Sequence, residues 1–251
     1  MIYSNKILST VKAESPILYW VVMIHIILAV GCLIGVFIDE RTLMGVNVWI
    51  KPLKFSISVG IYIFTVGYLM TLYPYSKRKK NCINNIVTWT LLIEVFLIIY
   101  QASRGVQSHY NVSSQFDALL FAAMGLLTVI NVLIMVLFIF DTIRLKLKTS
   151  KSIQWAILLG WLIVLFGSWV GGQMISEMSH NVGVSGDLRI AHFFGLHSIQ
   201  IIPLFALWIS NKWNTTSRNQ AITVTFFGLF YATWIGFTFY QAKQGIPLIS
   251  L

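Results

Sequence analysis

His192 and His197 stand five residues apart in the run Ala191-His192-Phe193-Phe194-Gly195-Leu196-His197-Ser198-Ile199-Gln200. On a helix five residues turn through about 500°, so the two rings diverge by roughly 140° and cannot close on one ion as an i, i+4 pair would. A haem or divalent metal at His192 or His197 therefore takes its second ligand from another segment, and His109 and His180 are the candidates. Lys51, Lys54, Arg104 and Arg189 would neutralise the carboxylates of such a group, or hold a phosphate.

Three of these cations, Lys51, Lys54 and Arg189, sit at helix N-termini whose dipole they oppose. In Trp49-Ile50-Lys51-Pro52-Leu53-Lys54-Phe55, Pro52 occupies a position favoured in a first helical turn, so Lys51 and Lys54 flank an N-terminus. Arg189, just after Asp187, repeats the misfit, and Glu177 is its mirror image at a helix exit. Three resolutions are open: the charges neutralise one another, they bind a small anionic ligand with the help of exposed amides, or they snorkel to lipid headgroups.

A third group lies deeper. Glu94, Gln101 and Arg104 share one side of a helix, because seven residues make nearly two turns. Glu94 falls near mid-membrane with His25 and Asn131 at similar depth, and an ionisable group there is a functional-site candidate by default.

The elements that must position these groups are membrane spans. With 57% hydrophobic and 10% charged residues, the chain is too apolar for a soluble domain of 251 residues. Seven apolar stretches, 17–37, 49–72, 83–101, 118–140, 153–175, 190–209 and 221–240, each have the roughly 20 residues a helix needs to cross the bilayer. They predict an all-α polytopic bundle forming a single integral membrane domain. With the N-terminus inside and the C-terminus outside, 12 of the 18 Lys and Arg fall on the inner side, as the positive-inside rule requires. Lys77-Arg78-Lys79-Lys80 and the group Arg144, Lys146, Lys148 and Lys151 then face anionic lipid at the inner face, which accounts for the net charge of +10 without nucleic acid. A bacterial plasma membrane is the expected location. The outer ends of the second, third, fifth and sixth spans should line a common polar pocket.

Cys32 and Cys82 fall on opposite sides and cannot pair. Gly31 with Gly35 and Gly167 with Gly171 have the spacing that lets helices approach closely. Pro203 should free the carbonyl of Ile199, and Ser114 with Asp117 reads as a capping box. The loops are short and no internal repeat is visible.

Ser103-Arg104 followed by His109 resembles the Ser-Arg…His element of membrane acid phosphatases, one residue short and without a Pro-Ser-Gly-His partner. The blocks Lys51-Pro52-Leu53-Lys54-Phe55, Gln101-Ala102-Ser103-Arg104-Gly105, Ser108-His109-Tyr110-Asn111 and Gly186-Asp187-Leu188-Arg189, with His192, His197, Gln200 and the ending Gly245-Ile246-Pro247-Leu248, together resemble an uncharacterised group of bacterial multispanning membrane proteins. That resemblance implies the seven-helix fold and no activity. A microbial rhodopsin is excluded by the absence of a lysine in the middle of the seventh span. Three functions fit: a protein binding a small anionic ligand or cofactor, haem or metal included, at the outer face; an enzyme acting on a lipid phosphate; and a proton-coupled transporter using Glu94.

Overall fold

The computed structural model describes residues 2–248, with side chains described from Ile7 onward. The helices are α1 (Ile2–Glu14), α2 (Pro16–Ile38), α3 (Ile50–Leu72), α4 (Lys77–Ser103), α5 (Gln115–Arg144), α6 (Lys151–Ser176), α7 (Arg189–Lys212) and α8 (Ser217–Lys243). Seven of them, α2 to α8, are long and apolar enough to cross a bilayer. The chain is an all-helical, multi-pass membrane protein. Its helices overrun the expected spans at most ends because polar caps lie beyond the apolar stretches. The hydroxyls of Ser76, Ser150 and Thr216 accept from the amides of Lys79, Ile153 and Asn219 at the starts of α4, α6 and α8. Ser114 does the same for the Asp117 amide at 3.1 Å.

Helix α1 was not foreseen, since its apolar content is low. It ends at Ser15, and Pro16 begins α2 in the first-turn position where a missing amide proton costs nothing. Val11 is fully buried and lies against Gly67 of α3.

Two compact units make up the chain, residues 1–134 and 135–251. The first unit holds α1 to α4 and the first two-thirds of α5; the second holds the rest of α5 with α6, α7 and α8. In the first, α2 and α3 are joined by the antiparallel pair β1 (Thr42–Leu43) and β2 (Val46–Asn47), turned by Met44 and Gly45 with φ of 53° and 78°. Two consecutive positive φ values are what a two-residue hairpin turn demands. In the second, α6 and α7 are joined by β3 (Asn181–Val182) and β4 (Gly186–Asp187).

The two units repeat one plan: helix, hairpin, helix, four-residue connection, helix. Val48 N–H donates to the Arg41 carbonyl at 3.1 Å, and Leu188 N–H to the His180 carbonyl at 2.9 Å. Helices α4 and α8 bury the same register, Asn84, Thr88, Leu91, Val95, Ile98 and Ala102 in one and Val224, Gly228, Tyr231, Ile235, Thr238 and Ala242 in the other. Both end on Tyr-Gln-Ala-x-x-Gly, Tyr100 to Gly105 and Tyr240 to Gly245, with the glycines at φ of 71° and 70°. Val106 N–H then reaches back to the Gln101 carbonyl, and Ile246 N–H to that of Gln241. In the sequence the repeat survives only in such short motifs, because apolar residues interchange freely on helix faces that need only bulk.

Each unit has its own core. Ile63, Val66, Val87 and Val95 are fully buried in the first. Trp161 stacks on Phe138 at 4.9 Å in the second. There α6 and α7 meet through Gly167 and Gly195, as the glycine spacing suggested, whereas Gly31 faces open space. Helix α7 continues through Pro203 to Lys212.

Candidate functional site

Helix α4 turns the positions of Thr90, Glu94 and Gln101 towards α5, which answers with Asn131, Thr128 and Asp117 from an antiparallel run. Intervals of three, four and seven residues keep each set on one helix face. The result is a polar seam in the first unit. At the end nearest the hairpin, Gln101 Nε2 donates to Asp117 Oδ1 at 2.9 Å, and Arg104 Nη1 donates to the same oxygen at 2.5 Å. Ser114 Oγ donates to Asp117 Oδ2 at 2.7 Å, so both carboxylate oxygens are occupied. Asp117 is buried while Arg104 reaches the surface. Deeper along the seam, Asn131 Nδ2 donates to Thr90 Oγ1 at 2.8 Å and to the Leu127 carbonyl at 3.0 Å. Asn131 Oδ1 is buried with no hydrogen-bond partner.

Glu94 occupies the stretch between these two networks. It is 9% exposed, bonds the Thr128 hydroxyl and lies within electrostatic reach of Lys51. Thr128 Oγ1 donates to the Met124 carbonyl at 3.0 Å. The Thr128 hydroxyl thus has two acceptors within reach, the Met124 carbonyl and the Glu94 carboxylate. His25 takes other partners: its Nδ1 pairs with the Val21 carbonyl at 2.8 Å, and its Cβ fills the notch over Gly60.

Lys51 brings the N-terminus of α3 to the mouth of this seam. Its Nζ donates to His109 Nδ1 at 3.2 Å, and Ser108 Oγ lies 3.1 Å from the same nitrogen. An ammonium has protons and no lone pair, so Nδ1 is the acceptor and the ring proton resides on Nε2. Phe55, Tyr110 and Phe121 surround the imidazole with ring centres 5.9, 6.1 and 6.2 Å away. Burial pushes the Tyr110 phenol up from its ordinary range. Lys54 is exposed and makes no hydrogen bond or ion pair among the described residues.

The remaining candidates belong to the second unit, where each acquires a local partner. Arg189 clasps Asp187, with Nη2 to Oδ2 at 2.7 Å and Nε to Oδ1 at 2.9 Å. Burial works against the Asp187 carboxylate, yet the hydrogen bonds from Arg189 prevail and hold it below its ordinary range, with His180 adding to the effect. Glu177 pairs with Lys243 at 2.8 Å. The misfit charges of this unit are therefore neutralised pairwise, the first of the three resolutions. His192 seats its ring on Gly171 and donates through Nδ1 to the Gly167 carbonyl at 2.8 Å. His197 bonds Gln200 and packs against Phe193 at 4.4 Å.

One group was missed altogether. Asp39 takes two hydrogen bonds from Arg41 Nε and one from Nη2, and a fourth from the Trp49 indole at 2.8 Å. The guanidinium beside it, with the indole, holds its carboxyl well below the usual carboxylate range. Arg41 also reaches the Ser103 carbonyl at 3.0 Å, tying the hairpin to the end of α4. The signal was available as the recurrence of Asp-x-Arg at Asp39-Glu40-Arg41 and Asp187-Leu188-Arg189.

Among the described residues no three His, Cys, Asp or Glu side chains gather as a metal site would require. No family model, no curated protein and no solved structure matches the chain.

Proposed function

We propose that this membrane protein is a proton-coupled transporter in which Glu94 carries the proton and a small anion is drawn to the mouth formed by Lys51 and His109. The carrying observation is Glu94 itself, a carboxyl buried among membrane-spanning helices with polar groups on both sides of it along the seam. A charge so placed is costly, and the cost falls when the group binds a proton. The Thr128 hydroxyl, which rotates between the Met124 carbonyl and Glu94, can partner the carboxyl with or without its proton. Asn131 offers a further buried acceptor one helical turn, about 5 Å, along the seam. Internal repeats are one of the ways transporters are built, and the repeated helix-hairpin-helix-helix plan agrees with such an origin. The charge bias supports an orientation with the hairpin ends outside and the basic loops at the inner face of a bacterial plasma membrane.

The test is made in proteoliposomes with a pH dye inside and the outer solution acidified. Inorganic phosphate and succinate serve as probes. Wild type should acidify the lumen in a probe-dependent manner, and Glu94→Gln, which keeps the shape and removes the titrating group, should not. Probe-dependent acidification at the wild-type rate in Glu94→Gln would remove the basis of the reading.

A second reading, a haem or divalent metal at His192, is supported by the fixed tautomer of that ring. Donation from Nδ1 to a backbone carbonyl leaves the lone pair on Nε2, the arrangement that orients a ligating histidine. An absorption spectrum and metal analysis of the purified chain decide it, a Soret band or stoichiometric metal lost in His192→Ala being the supporting result.

A further inference from the structure

The segment that carries His109 is held in an uncommon way. Asn111 Nδ2 and Gln101 Nε2 both donate to the Gln107 carbonyl, and Asn111 Oδ1 accepts from the amide and hydroxyl of Ser113. Gln107 Nε2 also reaches the Met44 sulfur of the hairpin turn. Between these anchors Tyr110 adopts φ of 60°, a left-handed conformation that a bulky aromatic residue rarely takes. Such a conformation persists only where its surroundings enforce it, and it favours release when they change.

Beside it, His109 forms a plug. Lys51 and Phe55 face the ring from α3, Phe121 from α5, and Ser108 and Tyr110 from its own segment. From α4, Glu94 lies within electrostatic reach of Lys51, and Arg104 is engaged by Asp117. The Lys51 contact requires a neutral imidazole. A proton taken from water onto Nδ1 abolishes the lone pair that accepts from Lys51 and sets two cations about 3 Å apart.

We infer that His109 is an acid-operated gate over the seam: neutral, it closes the mouth against Lys51; protonated, it is expelled with Tyr110 and admits water to Glu94. This rests on the proton-coupled reading and adds its regulation, since outside acid would both open the path and supply the proton. Histidine is the side chain whose charge changes in the pH range where such a gate would work.

The test uses the full chain in detergent with Cys32→Ser and Met124→Cys. Met124 is 1% exposed on the seam face of α5, between Asp117 and Thr128. The native Cys82 is exposed and serves as internal reference, so the ratio of the two labelling rates with a charged thiol reagent cancels the pH dependence of thiol reactivity. The ratio should rise about tenfold between about pH 7.5 and about pH 5.5. His109→Gln, which accepts but cannot charge, should hold the ratio flat, and Lys51→Gln, which removes the repulsion, should weaken the rise. A ratio that is flat in the otherwise wild-type chain, or that rises equally in His109→Gln, overturns the gate. Glu94→Gln separates the two ideas: it should keep the labelling response while losing proton flux. Loss of the labelling response with flux intact therefore counts against the gate alone, and the converse against the transporter reading alone.

Discussion

Gly167 and Gly195 meet backbone to backbone, so that a Cβ on Gly195 would sit 2.6 Å from the Gly167 Cα and one on Gly167 would sit 2.8 Å from the Gly195 Cα. Neither atom can yield without moving a helix, because both are main chain. In a membrane, where lipid is as apolar as the helix surface, such close approach is a principal source of association.

Gly195→Ala should therefore cost about 1–3 kcal/mol through forced separation of α6 and α7. Gly31→Ala, at a position with nothing within 4 Å, should cost nothing measurable. Thermal unfolding in detergent compares the two. Equal effects would mean that the close approach contributes no stability.

Glu94→Gln should leave the melting temperature unchanged or raise it, since a neutral isostere relieves the cost of a buried ionisable group. The same variant should abolish proton flux. A marked loss of stability would instead make Glu94 a structural hydrogen-bonding residue.

Arg104→Gln leaves Asp117 buried and short of its cationic partner. With Arg104 partly exposed, solvent screens the pair, and a loss of about 1–3 kcal/mol is expected. Asp117→Asn in the same background should recover part of it, as a double-mutant cycle measures. Strict additivity would show that the two side chains are not coupled.

Asp39 makes stability depend on acid. Its carboxyl pKa is depressed in the folded chain, so its contribution is complete above the unfolded value of about 3.9 and is lost as pH falls from there through the folded value. The melting temperature of wild type should fall below about pH 4 more steeply than that of Asp39→Asn. Parallel curves would place the acid sensitivity elsewhere.

Much of the fold was legible because it is written locally. Apolar runs longer than about 18 residues have one stable state in a bilayer, the helix that satisfies its own backbone. The capping box at Ser114 and Asp117, and the shared face of Glu94, Gln101 and Arg104, follow from helical spacing alone. Low apolar content concealed α1, whose fully buried Val11 owes its place to a glycine more than fifty residues away.

The candidate site divides in the same manner. Residue types and helical period were enough to mark Glu94, Lys51 and His109, and to separate the rings of His192 and His197. Which cation meets a distant carboxylate was decided only in three dimensions: Lys243 turned to Glu177 and Arg104 to Asp117. Charge pairing depends on distances of a few ångströms between groups far apart in the chain, and the period of a helix fixes the direction of a side chain without fixing what lies opposite. The repeated plan of the two units leaves only short traces in the sequence, Tyr-Gln-Ala-x-x-Gly and Asp-x-Arg, and is carried by hydrogen bonds and buried register, because the bilayer constrains hydrophobicity along each helix and leaves the identity of the apolar residues free.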